Sequence, residues 1–105
     1  MELDEIWVEI GVGAYEVSNF GRVVNGNTGR DLTPYPDKRS GYLRVALYYN
    51  GERHDVFVHR LVARAFFLNY APGVEVLHKN EDKMDNSVLN LTLGGACRKG
   101  ADGRL

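Results

Sequence analysis

Residues 41–66 read GYLRVALYYNGERHDVFVHRLVARAF, and this stretch decides the fold. Two β-prone runs flank Asn50-Gly51. That pair favours a type I′ hairpin turn, because both central positions of such a turn need positive φ. In the first run Leu43, Val45 and Leu47 share one face, while Tyr42, Arg44, Ala46 and Tyr48 share the other. The Leu/Val face is expected in the core. The Tyr42–Arg44–Tyr48 face suits two surfaces. One binds nucleic acid, where Arg reads phosphate or base edges and Tyr stacks or donates. The other is a solvated sheet face with ordinary cross-strand pairs. The second run leads into HRLVARAFFLNY, where Leu61, Val62, Ala65 and Phe66 repeat with helical spacing. Arg60 and Arg64, four residues apart, are expected to stack on its exposed side. Asn69, Pro72 and Gly73 predict where the helix stops.

Upstream, turn signals are frequent: Ser18-Asn19, Asn25-Gly26-Asn27, Thr28-Gly29, Pro34 to Pro36 and Ser40-Gly41. Between them Ala14–Val17, Arg22–Asn25 and Asp31–Thr33 read as short strands of a small antiparallel sheet. Downstream, Val74–Leu77 reads as a strand and Asn86–Leu93 as a loop or strand. The tail GGACRKGADGRL has four glycines in twelve residues and is expected to be a poor helix. No internal repeat or low-complexity tract is present.

The chain has 105 residues with 44% hydrophobic and 26% charged, as for one small globular domain. No apolar run of transmembrane length occurs, and the acidic start MELDEIWVEI does not read as a signal peptide. The lone Cys97 has no intrachain disulfide partner, so an intracellular setting is expected. Net charge is -1, but it is unevenly spread. Residues 1–20 carry five acids and no Lys or Arg, whereas residues 21–64 carry eight Lys/Arg against four acids. Such a division suits a basic middle facing phosphate, or simply a mixed solvated surface.

Taken in order, YEVSNFGRV, GYLRVAL, VHRLVARAF and then His78, Asp85-Asn86 and Asn90-Leu91 form a series. The series resembles the HNH endonucleases of the phage homing type, with an N-terminal DNA-binding motif of the NUMOD4 kind. Trp7, Tyr15–Asn19 and Gly21–Val23 carry the resemblance to that motif. Val58–Ala63 resembles the helix opening that precedes the HNH site. The likeness runs over roughly residues 5–99, with 1–50 as the NUMOD4-like segment and 51–105 as the HNH-like segment of a single domain. It implies an α+β fold: a small antiparallel sheet, one central helix and a ββα-metal region. A cytoplasmic setting in a bacterial host would follow if the protein is phage-encoded.

The resemblance also implies metal-assisted phosphodiester hydrolysis, usually with Mg²⁺. His78 matches the general base, Asn90 the loop asparagine that orients it, and Asn86 a second loop asparagine. His59 and Arg60 match the helix start beneath the site. The metal positions depart from the pattern. Leu77 stands where the family places Asp, Asn or His, and Lys99 falls near the position of the helix ligand. Leu93 and Gly95 replace the usual tryptophan and threonine. An alkyl group has no lone pair, and an ammonium repels a cation. Glu81, Asp82 and Asp85 are the carboxylates available for a non-standard site. Taken alone, His78 also fits a hydrogen-bonded histidine at a strand end. His54 reads as a surface residue.

Two functions follow. In one, a degenerate HNH frame whose cutting is lost or feeble needs no cofactor. It binds DNA through Arg22, Arg44, Arg60 and Arg64, or a nucleic-acid-processing protein complex, as a phage-type regulator or inhibitor. In the other, the chain is an active Mg²⁺-dependent nuclease with His78 as base.

Overall fold

The computed structural model describes residues 4–71 and 73–94. Pro72, Gly95, Cys97, Lys99 and the glycine-rich tail lie outside the described residues. The first four strands are β1 (Trp7–Glu9), β2 (Tyr15–Ser18), β3 (Val23–Asn25) and β4 (Arg30–Asp31). They form an antiparallel meander in chain order. A second antiparallel sheet joins β5 (Tyr35–Pro36), β6 (Leu43–Tyr49) and β7 (Glu52–Phe57). Then come α1 (Val58–Phe66), β8 (Val76–His78), a 3₁₀ turn at Val88–Asn90 and β9 (Leu91–Leu93). The last two strands pair antiparallel, with His78 opposite Leu91. The fold is α+β with antiparallel sheets and one helix, as expected, and the strands divide into three small sheets. No helix among the described residues is long and apolar enough to cross a membrane.

The β6–β7 hairpin is turned by Asn50 and Gly51 at φ 54° and 76°, the conformation a type I′ turn demands. Leu43, Val45 and Leu47 are buried, as their alternation predicts. Other boundaries moved. The strand expected at Asp31–Thr33 is the shorter Arg30–Asp31. Tyr35–Pro36, read as a turn, forms an edge strand on β6, where proline costs no ladder bond. The helix ends at Phe66, four residues early, because Phe67 is extended while its N–H still bonds the Ala63 carbonyl.

α1 grows directly out of β7, with no side-chain cap and no acid in its first turn. Packing, more than local propensity, therefore holds it. Its buried residues are Val58, His59, Leu61, Val62 and Ala63. Ala65 and Phe66, expected on the apolar stripe, are only half-buried at its edge. The core joins this face to Val17, Val23, Val45, Leu47, Val76 and Leu91, so all three sheets meet on one helix. The Tyr48 N–H donates to the Tyr15 hydroxyl at 2.9 Å, stitching the second sheet to the first. The Val88 N–H donates to the Asn19 carbonyl at 2.8 Å, tying the last loop to the first sheet.

Candidate functional site

His78 closes β8 beneath the loop 79–90, with the N-terminal turn of α1 behind it. Its Nε2 lies 2.8 Å from Asn86 Oδ1. An amide oxygen accepts, so the ring proton sits on Nε2 and the Nδ1 lone pair is left free. Nδ1 is buried and has no hydrogen-bond partner. This tautomer leaves on Nδ1 the lone pair with which a general base accepts a proton.

Asn90 does different work. Its Nδ2 donates to Asn80 Oδ1 and to the Asp85 carbonyl, both at 2.9 Å. Its Oδ1 accepts the Asn80 N–H at 3.2 Å, and its carbonyl accepts the Lys79 N–H at 2.7 Å. Asn90 thus pins the loop, and the hydrogen bond to the imidazole comes from Asn86 instead. Sequence reading placed that contact on Asn90, because loop asparagines look alike until their partners are seen.

Two aromatic rings wall the base, Tyr42 and His59. Tyr42 stacks on His78 at 5.4 Å between ring centroids and on His59 at 4.7 Å. His59 tilts against His78 at 5.3 Å. Lys83 lies 4.8 Å over the Tyr42 ring and donates to the Ser40 carbonyl, strapping the loop across. Tyr42 was grouped with Arg44 and Tyr48 on an outward face, but it belongs to the base pocket. His59, matched only to a helix start, is 5% exposed and its Nδ1 is unpartnered. Burial, then the charges of His78 and Arg60, push its imidazole down to about 4, so it is neutral at neutral pH.

The four arginines divide. Arg22 pairs with Glu5 at 2.7 Å and Asp31 at 2.9 Å, and its guanidinium covers the Trp7 ring. The Asp31 hydrogen bond is the main cause raising its already high pKa. Arg44 pairs with Asp37 at 3.0 Å, bonds the Asp55 carbonyl and lies over Phe57. Both cations are spent inside the fold. Arg60 and Arg64 are exposed on α1 and make no ion pair among the described residues. Together with Phe57, Leu61 and Tyr70 they line a shallow groove. Tyr48 is 61% exposed at the far end of the hairpin, away from the base pocket. His54, read as a surface residue, is half-buried and stacks on Tyr49 at 3.9 Å.

The donors around His78 do not fit a hard divalent cation. Leu77 is 40% exposed, alternates away from His78 and packs beside Gly94, offering no lone pair. Asp82 caps the Met84 N–H at 3.0 Å. Asp85 accepts from the Ser87 hydroxyl at 3.2 Å and the Asn80 amide at 3.3 Å. Glu81, on the exposed turn after His78, adopts φ 64°. Among the described residues no three His, Cys, Asp or Glu side chains gather as a metal would require.

Residues 5–48 match the NUMOD4 motif. The chain is 38% identical over 79 residues to DNA endonuclease I-HmuI of Bacillus phage SP01, covering 75% of this chain and 45% of that protein. It is 41% identical over 93 residues to an uncharacterized HNH endonuclease of Acanthamoeba polyphaga mimivirus, covering 83% of this chain and 23% of that one. A solved structure of the HNH homing endonuclease I-HmuI, concerned with its DNA binding and cleavage, superposes with a TM-score of 0.76. The identity is 36%, over 85% of this chain and 52% of the other. The chain therefore spans about half or less of the length of these relatives. In sequence and in fold, the chain is thus similar to part of the HNH homing endonuclease I-HmuI, and its residues 5–48 carry a NUMOD4 motif.

Proposed function

We propose that this chain binds duplex DNA on the α1 side of the base pocket and cuts it feebly or not at all, acting as a regulator that occupies DNA. A contrast within the pocket carries this reading. His78 is set as a base by Asn86 at 2.8 Å, while Leu77 leaves the neighbouring ligand position without a donor. HNH endonucleases generally depend on a divalent metal, and a base without one lacks the charge that stabilises a departing oxygen. Exposed Arg60 and Arg64 suit phosphate contact, which positions a protein on DNA without reading sequence. The relatives named for DNA endonuclease activity support DNA as the ligand.

One observation favours the other reading, an active nuclease. His78 keeps its Nδ1 lone pair free, the form a working base needs. Fluorescence anisotropy with a labelled duplex tests the binding half. Affinity should fall steeply as salt rises from about 50 to 200 mM. Absence of binding even at the low end would remove DNA as the ligand.

A further inference from the structure

We propose that the apolar groove bounded by Ile6, Phe20 and Leu89 docks a basic amphipathic segment of a partner protein. Ile6 is 56%, Phe20 44% and Leu89 67% exposed. With Phe66 and Val88 they line one groove between the start of the first sheet, the end of α1 and the turn before β9. Single exposed apolar side chains are ordinary on a protein surface, but several converging on one groove mark an interaction site.

The polar groups of the groove are already used. Asn19 Oδ1 accepts the Ile6 N–H at 2.7 Å, and Asn19 Nδ2 donates to the Asp4 carbonyl at 3.1 Å. The Asn19 carbonyl accepts the Val88 N–H at 2.8 Å, and the Ser87 hydroxyl donates to Asp85 at 3.2 Å. An occupant therefore gains chiefly by burying apolar side chains.

Charge decides what kind of occupant fits. No Lys or Arg lines the groove. Asp4 is tied to the lining residue Asn19 and Asp85 to the lining residue Ser87. Neither carboxylate forms an ion pair among the described residues. Arg22, two residues after Phe20, is held by Glu5 and Asp31. Unpaired acids beside the groove repel phosphate, which disfavours nucleic acid there. They also disfavour a second copy, because a twofold contact sets the same patch, with the same acids, on both sides. Apolar anchors flanked by Lys or Arg complement the groove in both shape and charge.

Phe20 and Ser87 directly follow and precede the contact between Gly21 and Asn86, and Asn86 holds His78. An occupant therefore lies against the loop that sets the base. The groove shares no residue with the one lined by Arg60 and Arg64, so the inference does not rest on DNA binding.

The probe is a labelled amphipathic helical peptide built only of Leu and Lys, beside its counterpart of Leu and Glu, titrated with the intact chain by fluorescence anisotropy. The Leu/Lys peptide should bind saturably and at least tenfold more tightly than the Leu/Glu peptide. Its affinity should fall at least tenfold in Phe20→Ser/Leu89→Ser and be unchanged in Arg60→Ala. Amide ¹⁵N spectra of the unmutated chain read the site independently of variant folding: Phe20, Val88 and Leu89 should move on addition of the peptide, and Arg60 and Arg64 should not. Absence of saturable binding, equal binding of the Leu/Glu peptide, or shifts centred on Arg60 and Arg64 would overturn the proposal. So would sedimentation of the chain alone as a dimer that Leu89→Ser dissolves, which would assign the groove to a second copy, or nuclear Overhauser contacts from residues 95–105 to Phe20 or Leu89, which would assign it to the chain's own end.

Discussion

Gly21 and Asn86 are in contact with no room between them: a methyl group on Gly21 would lie 2.9 Å from the Asn86 carbonyl carbon and oxygen. Gly21 sits in the turn between β2 and β3, at φ 88°. Asn86 is the residue that holds His78. The NUMOD4 motif therefore abuts the loop that sets the base, and its glycine is required both by backbone conformation and by space.

Gly21→Ala should cost roughly 1–3 kcal/mol, combining left-handed strain with displacement of Asn86. Gly51 provides the control. It has φ 76° but nothing within 4 Å of a built Cβ, so Gly51→Ala should cost only about 1 kcal/mol. Urea denaturation measures both. Only Gly21→Ala should also disturb the imidazole ¹⁵N signals of His78.

The two asparagines should separate in the same way. Asn90→Ala removes a side chain that makes three hydrogen bonds in the loop and leaves buried groups unpaired, which should cost about 1–3 kcal/mol. Asn86→Ala should instead release the Nε2–H tautomer of His78, seen as averaging of its two ring nitrogens in ¹⁵N spectra. If Asn90→Ala abolished the tautomer preference while Asn86→Ala left it intact, the assignment would be reversed.

His59 predicts a pH dependence with a definite sign. Its folded pKa of about 4 lies below the ordinary 6.5, so the unfolded chain binds the proton more readily. The stability linked to His59 is thus complete above about pH 6.5 and is lost as pH falls toward 4. Asp37, held low chiefly by the Ser40 N–H, and Asp55, held low chiefly by Tyr35, lose their stabilisation from about pH 5 downward, around and below the ordinary carboxylate value of 3.8. Thermal melts between pH 7 and about pH 5 should therefore slope in the wild type and be flatter in His59→Phe. An unchanged slope would place the effect elsewhere.

The arginines should differ in DNA binding. Arg60→Ala and Arg64→Ala should each lower the salt slope of affinity by about 1. Arg22→Ala should leave that slope unchanged, because Glu5 and Asp31 already take up its charge. Anisotropy across a salt series decides between them.

Some of this was legible in the sequence, and the reason is range. The hairpin at Asn50-Gly51, the Leu43–Val45–Leu47 face and helix α1 are written in neighbouring residues. The three-sheet division is not, since it depends on where Val17, Val45 and Leu91 meet around Val62. The site was read in part. His78 stood out, but Tyr42 reaches it from 36 positions away, and its outward alternation on β6 pointed elsewhere. Arg22 looked like a free cation because Glu5 and Asp31 are distant in the chain and adjacent only in the sheet. Asn86 was read only as a second loop asparagine because nothing local showed it facing a histidine.

The most direct measurement is nicking of supercoiled plasmid by the purified chain in Mg²⁺ and in Mn²⁺, beside His78→Ala. A donor-poor pocket predicts no nicking above the His78→Ala background in either metal, at concentrations where DNA is bound. Nicking by the wild type that disappears in His78→Ala would contradict it, and would mean that donors beyond Asp82 and Asp85 complete a working metal site.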